Sequence, residues 1–312
     1  MKNYKSVFDT IFSEMNHVVV GQQDVMEQTI AAMLCDSNAL LEGYPGLAKT
    51  LIVKTLSSLM DLKFSRIQST PDLMPSDITG TYIIEDHGGK REFKFQQGPL
   101  FANIVLADEI NRATPKTQSA LLEAMQEKQV TVGNTTFKLD LPFFVLATQN
   151  PIEQEGTYPL PEAQADRFLL KIKTDYPNYE DEVKIVDKYS AELTEHRLKP
   201  ILEKKNLIIL QGITRQIPIA NDLKRRAVKI VTETRKRKDL MEYGASPRAS
   251  IGIIMAAKAR ALIRGRNHVA TEDIESMAYP VLRHRIILNF EAERKGMSAD
   301  DVVKEILTKV KE

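Results

Sequence analysis

The stretch that decides the fold is Gly43-Tyr-Pro-Gly-Leu-Ala-Lys-Thr50, which separates the apolar run Asn38-Ala-Leu-Leu-Glu42 from a helical pattern between about Lys49 and Met60. A glycine-containing turn between a buried strand and a helix brings backbone N–H groups and the positive helix end to one anion. Lys49 in such a loop reaches the β- and γ-phosphates of a nucleotide, and the Thr50 hydroxyl holds Mg²⁺. The stretch therefore predicts a phosphate-binding loop made of Gly43, Tyr44, Pro45, Gly46, Leu47, Ala48, Lys49 and Thr50.

Ala48 departs from the usual pattern of such loops, in which a glycine precedes the lysine. A methyl group is tolerated if the backbone at this position is helical, but a left-handed backbone with alanine costs roughly 1–2 kcal/mol. We expect the helical conformation, so that nucleotide binding is retained.

Two carboxylates, Asp108 and Glu109, follow the apolar run Ile104-Val-Leu-Ala107 downstream of the loop. Asp108 is suited to outer-shell coordination of Mg²⁺ through water, and Glu109 is suited to polarising the water that attacks a γ-phosphate. The alternative is a pair of acids that only caps the end of a strand.

The first half of the chain alternates short apolar runs with helical patterns, which is typical of βα units around a parallel sheet. Glycine turns at 88–89 and 133–134 predict two β-hairpins that project from this sheet as insertions. Beyond residue 178 the periodicity is helical. The predicted fold class is α/β, with a P-loop core of parallel sheet and flanking helices in residues 1–177 and a small all-α lid domain in residues 178–312.

Individual elements follow from the same patterns. The predicted strands are 38–42, 64–69, 103–107, 143–147 and 169–173, and the hairpins span 82–95 and 130–139. The predicted helices include 1–13, 49–60, one beginning at Thr114-Pro115, and then 179–193, 222–237, 247–263, 271–283 and 299–310.

The net charge of +1 conceals a division along the chain. Residues 1–180 contain 16 Lys and Arg against 23 Asp and Glu, whereas residues 181–312 contain 27 against 19. An acidic half and a basic half suit head-to-tail packing of identical subunits. Solvated helix faces rich in Lys and Arg are the alternative explanation.

The cysteine content and hydropathy bear on the compartment. The single cysteine, Cys35, cannot form an intramolecular disulfide, which favours a reducing environment. No uninterrupted apolar run approaches the ~18 residues of a membrane span. We therefore expect a cytoplasmic protein without membrane insertion.

Several motifs together resemble the MoxR family of AAA+ ATPases, within the group that carries an insertion in helix 2. The resemblance covers nearly the whole chain from about Val18. It rests on the phosphate loop, including its alanine, and on the segments 70–77, 98–103, 107–112, 147–151, 160–168 and Ser246-Pro-Arg248.

The resemblance implies roles for further residues. Asn150 resembles sensor 1, which orients the attacking water, and Arg248 resembles sensor 2, which ties the lid to the γ-phosphate. Arg167 resembles an arginine finger that reaches the ATP of a neighbouring subunit, an effect of about 10³–10⁵ in rate where it is known. The segment containing Val20 and Gly21 resembles a loop that packs against adenine.

Each of these residues also has a simpler interpretation. Asn150 could form the turn before Pro151, Arg167 could pair with Asp166 or another acid, and Arg248 could be a surface residue of a lid helix. Val20 and Gly21 could form a turn before a helix. Arg112 could contact an adjacent subunit or simply flank a helix.

The function implied by the resemblance is an ATP- and Mg²⁺-dependent remodelling chaperone that works as a homo-hexameric ring. Its client would be a protein with a von Willebrand factor A domain or a complex that needs maturation. A nucleic-acid motor using the basic segments 224–226 and 235–238 is one alternative, although these cations lie at helical spacing beside acids. A nucleotide-gated scaffold with little turnover is another. Glu109, Asn150 and Arg167 together argue against the scaffold.

Overall fold

The computed structural model describes residues 4–87, 90–151, 157–190 and 198–310. Within them the strands are β1 (Ala39–Gly43), β2 (Phe64–Gln68), β3 (Gly80–His87), β4 (Lys90–Gln97), β5 (Ile104–Asp108), β6 (Gln129–Val132), β7 (Thr135–Lys138), β8 (Phe144–Gln149), β9 (Leu170–Thr174), β10 (Met241–Tyr243) and β11 (Ile287–Leu288). The α-helices are α1 (Tyr4–Asn16), α2 (Gln23–Leu34), α3 (Lys49–Leu59), α4 (Pro75–Thr79), α5 (Pro115–Glu127), α6 (Glu162–Ala165), α7 (Tyr179–Ser190), α8 (Lys204–Gln216), α9 (Asn221–Lys236), α10 (Pro247–Ile263), α11 (Thr271–Leu282), α12 (Phe290–Arg294) and α13 (Ala299–Lys309).

The central sheet is parallel and has the spatial order β2-β5-β8-β1-β9. Its inner strands are continuous apolar runs because both faces of a parallel sheet are covered. Alternate residues point to opposite faces. Thus Ile104 and Leu106 pack into one hydrophobic core, and Val105 and Ala107 pack into another.

The lid helices share the first of these cores. It runs from the sheet through α2 into α10 and α11, where Ile253 and Val281 are completely buried. Helix α1 packs on both α10 and α3. The lid and one face of the sheet are therefore a single packed unit.

Two antiparallel hairpins stand apart from the sheet as predicted, β3 with β4 and β6 with β7. Their aromatic residues meet, since Phe95 of β4 stacks on Phe137 of β7 with ring centroids 4.1 Å apart. Residues 88 and 89, at the predicted first turn, lie outside the described residues.

The observed bounds of most predicted elements differ by a few residues from the sequence patterns. Helices α4, α6, α8 and α12 were not predicted, and α2 was foreseen only as a helix after the turn at Val20 and Gly21. The C-terminal region, although helical, also contains the small antiparallel pair β10–β11. The predicted helix over 179–193 is described as far as Ser190. The boundary at 177/178 falls between β9 and α7 and stays a prediction. No helix of the described ranges is long and apolar enough to span a membrane.

Candidate active site

The predicted site residues gather at the carboxyl edge of the sheet. Strands β1, β5 and β8 are neighbours and parallel, so the segments that follow them meet at one edge. These segments are the loop from Gly43 to Thr50, the Asp108-Glu109 pair, and Asn150, which directly follows β8 and is half-buried. The topology thus places the loop, the carboxylates and Asn150 together.

The phosphate loop begins buried against the end of β9 at Gly43 and is exposed at Gly46. A Cβ on Gly43 would lie 1.6 Å from Thr174 Oγ1, so only glycine fits there, and Gly46 has φ +83° with open space around it. Helix α3 begins at Lys49 without a side-chain cap, and its first N–H groups have no partner within the helix. An anion at this position satisfies both the N–H groups and the helix dipole.

The conformation of Ala48 differs from our expectation. Its φ of 56° and ψ of 18° are left-handed, so the prediction of a helical backbone at this position was wrong. An anion-binding concavity is built from neighbouring residues of opposite handedness. The shape of the loop therefore requires a left-handed residue here, and alanine occupies it at a cost of about 1–2 kcal/mol.

The ammonium group of Lys49 interacts electrostatically with the carboxylates of Asp108 and Glu109. Its Nζ donates to the Gly43 carbonyl at 2.6 Å. Burial lowers the pKa of Lys49, and the charges of Asp108 and Glu109 oppose that shift. The ammonium and the two acids therefore belong to one site, as a bound triphosphate and cation require.

Thr148 connects the two carboxylates. Its hydroxyl donates to Asp108 Oδ1 at 2.6 Å and accepts from the Glu109 backbone N–H at 2.8 Å. Glu109 has a left-handed φ of 54°. The hydroxyl thus fixes the turn that directs Asp108 and Glu109 away from the strand.

Side chains from β2 and from the turn after β5 contact the carboxylates. Arg66 donates from Nη2 to Asp108 Oδ2 at 2.6 Å, and Gln68 Nε2 lies 3.1 Å from Glu109 Oε2. Arg112 Nη1 lies 3.1 Å from the same Glu109 oxygen. Arg112 is therefore a partner of Glu109 within the chain, which neither sequence interpretation included.

A cavity of about 720 Å³ opens beside the loop, between the α1–α2 connection and the segment after β9. Val20 and Gly21 line it, as does Tyr176. The ring of Tyr176 stacks on Tyr44 of the phosphate loop with centroids 5.0 Å apart. The two residues predicted for adenine thus border a space of nucleotide size next to the loop.

The two remaining predicted residues are Arg167, which lies just after α6, and Arg248, which lies in α10 of the lid. Arg167 is exposed and makes no hydrogen bond or ion pair through its side chain with any described residue. Arg248, in the first turn of α10, places Nη1 3.2 Å from Asp166 Oδ2. The structure therefore does not join Arg167 to the phosphate loop of its own chain.

Comparisons with known proteins identify the family of the chain. Residues 38–170 match the model of the ATPase family associated with various cellular activities, and residues 233–306 match a AAA lid domain. The chain is 45% identical over 305 residues to the chaperone MoxR1 of Mycobacterium tuberculosis, covering 95% of this chain and 80% of that protein. It is 44% identical to the uncharacterized protein YeaC of Bacillus subtilis, covering 95% and 92%. The chain belongs to the MoxR family of AAA+ ATPases.

A solved structure supports the fold of this MoxR chain over its whole length. The crystal structure of a candidate ATPase from Cytophaga hutchinsonii superimposes with a TM-score of 0.91 at 44% identity, covering 98% of this chain and 94% of that one. Protein MoxR of Paracoccus denitrificans is 28% identical, covering 91% and 90%.

The side chains of the MoxR site fit a magnesium nucleotide. The Thr50 hydroxyl and the Asp108 carboxylate are hard oxygen ligands of the kind that Mg²⁺ takes in nucleotide sites, and the uncapped start of α3 fits phosphate. Sequence patterns missed Arg66, Gln68 and Thr148, and they named Asp166 only as a possible partner of Arg167, whereas the structure pairs it with Arg248. Gln68 could have been found from strand order, because the register of β2 places it opposite Asp108.

Proposed function

We propose that this MoxR chain hydrolyses ATP with Mg²⁺ and uses the turnover to remodel a protein client. The observation that carries the proposal is the strand order, which brings the phosphate loop after β1 and the Asp108-Glu109 pair after β5 to one edge of the parallel sheet. Bound Mg²⁺ would neutralise phosphate charge, with Thr50 and Asp108 holding it. A pure nucleotide switch does not need the further side chains described next.

The remaining residues have separate roles in this proposal. Glu109 orients and deprotonates the attacking water, and Asn150 helps to place that water. Arg248 links the lid to the γ-phosphate of its own chain. Arg167 acts on the nucleotide of the neighbouring copy, and its exposed side chain, without a partner among the described residues, supports this role.

We further propose a homo-hexameric, cytoplasmic ring whose client carries a von Willebrand factor A domain. The opposite charge of residues 1–180 and 181–312 supports head-to-tail packing. The name chaperone MoxR1 of a relative supports a protein client. On the hairpin β3–β4, the cross-strand pair Ile84 and Phe93 is 59% and 76% exposed and offers an apolar contact for it.

The basic helix α9 does not favour the nucleic-acid alternative. Arg226 pairs with Glu275 at 2.6 Å, and Arg237, at the end of the helix, pairs with Asp239 and Glu305. Cations already paired with acids contribute little to a phosphate-binding surface.

The test is the substitution Glu109→Gln. We expect it to retain ATP binding and to lower the steady-state hydrolysis rate by about 10²–10⁴-fold, the usual contribution of a general base. Nucleotide affinity and phosphate release are measured on the assembled protein.

Glu123→Gln is the matched control, since Glu123 is an exposed acid on α5 outside the site. It should hydrolyse ATP like the wild type. Wild-type rates in Glu109→Gln would remove Glu109 from its role, and absence of any affinity for Mg²⁺-ATP would overturn the whole proposal.

A further inference from the structure

Arg285 of the lid holds the main chain on both sides of Arg167. Its Nη2 donates to the Asp166 carbonyl at 3.1 Å and to the Phe168 carbonyl at 2.5 Å, and its Nη1 donates to the Leu169 carbonyl at 2.9 Å. Its Nε donates to Asp166 Oδ1 at 2.7 Å. One side chain therefore fixes the backbone from which Arg167 projects.

This contact is nearly inaccessible to water. The Arg285 side chain is 3% exposed, and Phe168 is completely buried. Burial lowers the pKa of Arg285, and the Asp166 carboxylate opposes that shift. A buried guanidinium depends on its charged partner, so removal of Asp166 would leave an uncompensated charge.

Asp166 also contacts the start of the lid helix α10. Its Oδ2 accepts from Arg248 Nη1 at 3.2 Å and from Ser246 Oγ at 3.3 Å. Arg248 is the residue proposed to bind the γ-phosphate of its own chain. Asp166 therefore joins the backbone before Arg167 to the start of the lid helix α10.

We propose that Asp166 and Arg285 are positioning residues for Arg167, the arginine that serves the neighbour's active site. The inference rests on the proposed function, in which Arg167 acts in trans.

Mixed assemblies test this positioning role. Lys49→Ala chains should fail to bind ATP but still present Arg167, whereas Arg167→Ala chains bind ATP but present no arginine. Mixing the two should restore hydrolysis at the interfaces where an intact Arg167 meets an intact phosphate loop. Asp166→Asn is then added to either chain.

In the Lys49→Ala chain, we expect Asp166→Asn to lower the restored hydrolysis by about 10- to 100-fold, since a displacement of ~1 Å can cost ~10²-fold. In the Arg167→Ala chain the same substitution should have a clearly smaller effect. Glu162→Gln on α6 is the matched control and should leave the restored rate unchanged in both chains.

Arg285→Lys in the Lys49→Ala chain is the second variant, because lysine keeps the positive charge but cannot bond several carbonyls in a fork. It should lower the restored rate in the same way, and it carries the test if Asp166→Asn does not fold. Assembly is checked by particle mass.

Equal losses from Asp166→Asn in both chains would overturn the positioning role, as would full restoration when it is in the Lys49→Ala chain. If Arg285→Lys has to carry the test, full restoration with that variant overturns the role as well. Failure of the parent mixture to restore any hydrolysis would instead overturn the action of Arg167 in trans, and the inference with it.

Discussion

Two residues at the site, Ala48 and Glu109, have left-handed backbones although neither is glycine. Strain of about 1–3 kcal/mol at such positions is commonly found where function requires the conformation. At Ala48 the strain comes from the loop that presents its N–H groups to an anion. At Glu109 it comes from the turn that Thr148 fixes.

Ala48→Gly should leave the free energy of unfolding unchanged or raise it by up to about 1 kcal/mol. Relief of the left-handed alanine offsets the greater chain entropy of glycine. Ala120→Gly, in the interior of α5, should instead lower the free energy of unfolding by about 1 kcal/mol. Urea denaturation measures both, and an equal loss in the two variants would contradict the strain at Ala48.

At the residue scale, sequence patterns predicted the loop and the two carboxylates because their types and spacing are tied to local structure. They could not predict the role of Arg285, because its acceptors around Arg167 lie 116 to 119 positions away and are brought to it only by packing of the lid. They also misjudged the backbone at Ala48, since handedness depends on the whole loop.

At the element scale, the strands were predictable because buried parallel strands are continuous apolar runs. Helix α8 was missed although Leu207, Leu210 and Thr214 recur at helical spacing. The pair β10–β11 has strands of three and two residues, too short for any pattern. The contact between the two hairpins could not be predicted from the sequence either, because it joins residues far apart in the chain.

That contact gives a prediction for the hairpins. Phe95→Ala should destabilise them by about 2 kcal/mol, because Phe95 stacks on Phe137 and also meets Tyr82 and Phe101. Phe93→Ala, two residues away and 76% exposed, should change stability by less than about 0.5 kcal/mol. Hydrogen exchange of β3 and β7 amides measures the difference. Equal protection in the two variants would show that the stack does not hold the hairpins together.

At the scale of the whole molecule, the joint between lid and sheet contains a buried histidine. His284 Nε2 lies 3.0 Å from the Phe168 carbonyl, and burial together with the charge of Arg285 holds its pKa well below the ordinary value of 6.5. Below that pH the unfolded chain takes up a proton at His284 that the folded chain refuses. Stability contributed by the neutral ring is therefore present above pH 6.5 and is lost as the pH falls.

We expect the free energy of unfolding to fall below pH 6.5 with a contribution from His284 of at most about 1.4 kcal/mol per pH unit. His284→Gln should flatten this part of the profile. His268→Gln, at an exposed site, should leave the profile like that of the wild type. Denaturant unfolding between pH 7 and 5 measures the slopes, and identical slopes for all three proteins would exclude His284 as the cause.

The hydrophobic core that passes from the sheet through α2 into α10 limits how the ATPase can move. A lid with its own separate core could open by a hinge motion. In this chain the same motion would expose apolar surface on both the lid and the sheet. Interdigitated helices instead slide past one another by about 1–2 Å. Under the proposed function, the movement expected of the lid is therefore a small shear, and any larger displacement of a client would have to be summed over the copies of the proposed ring.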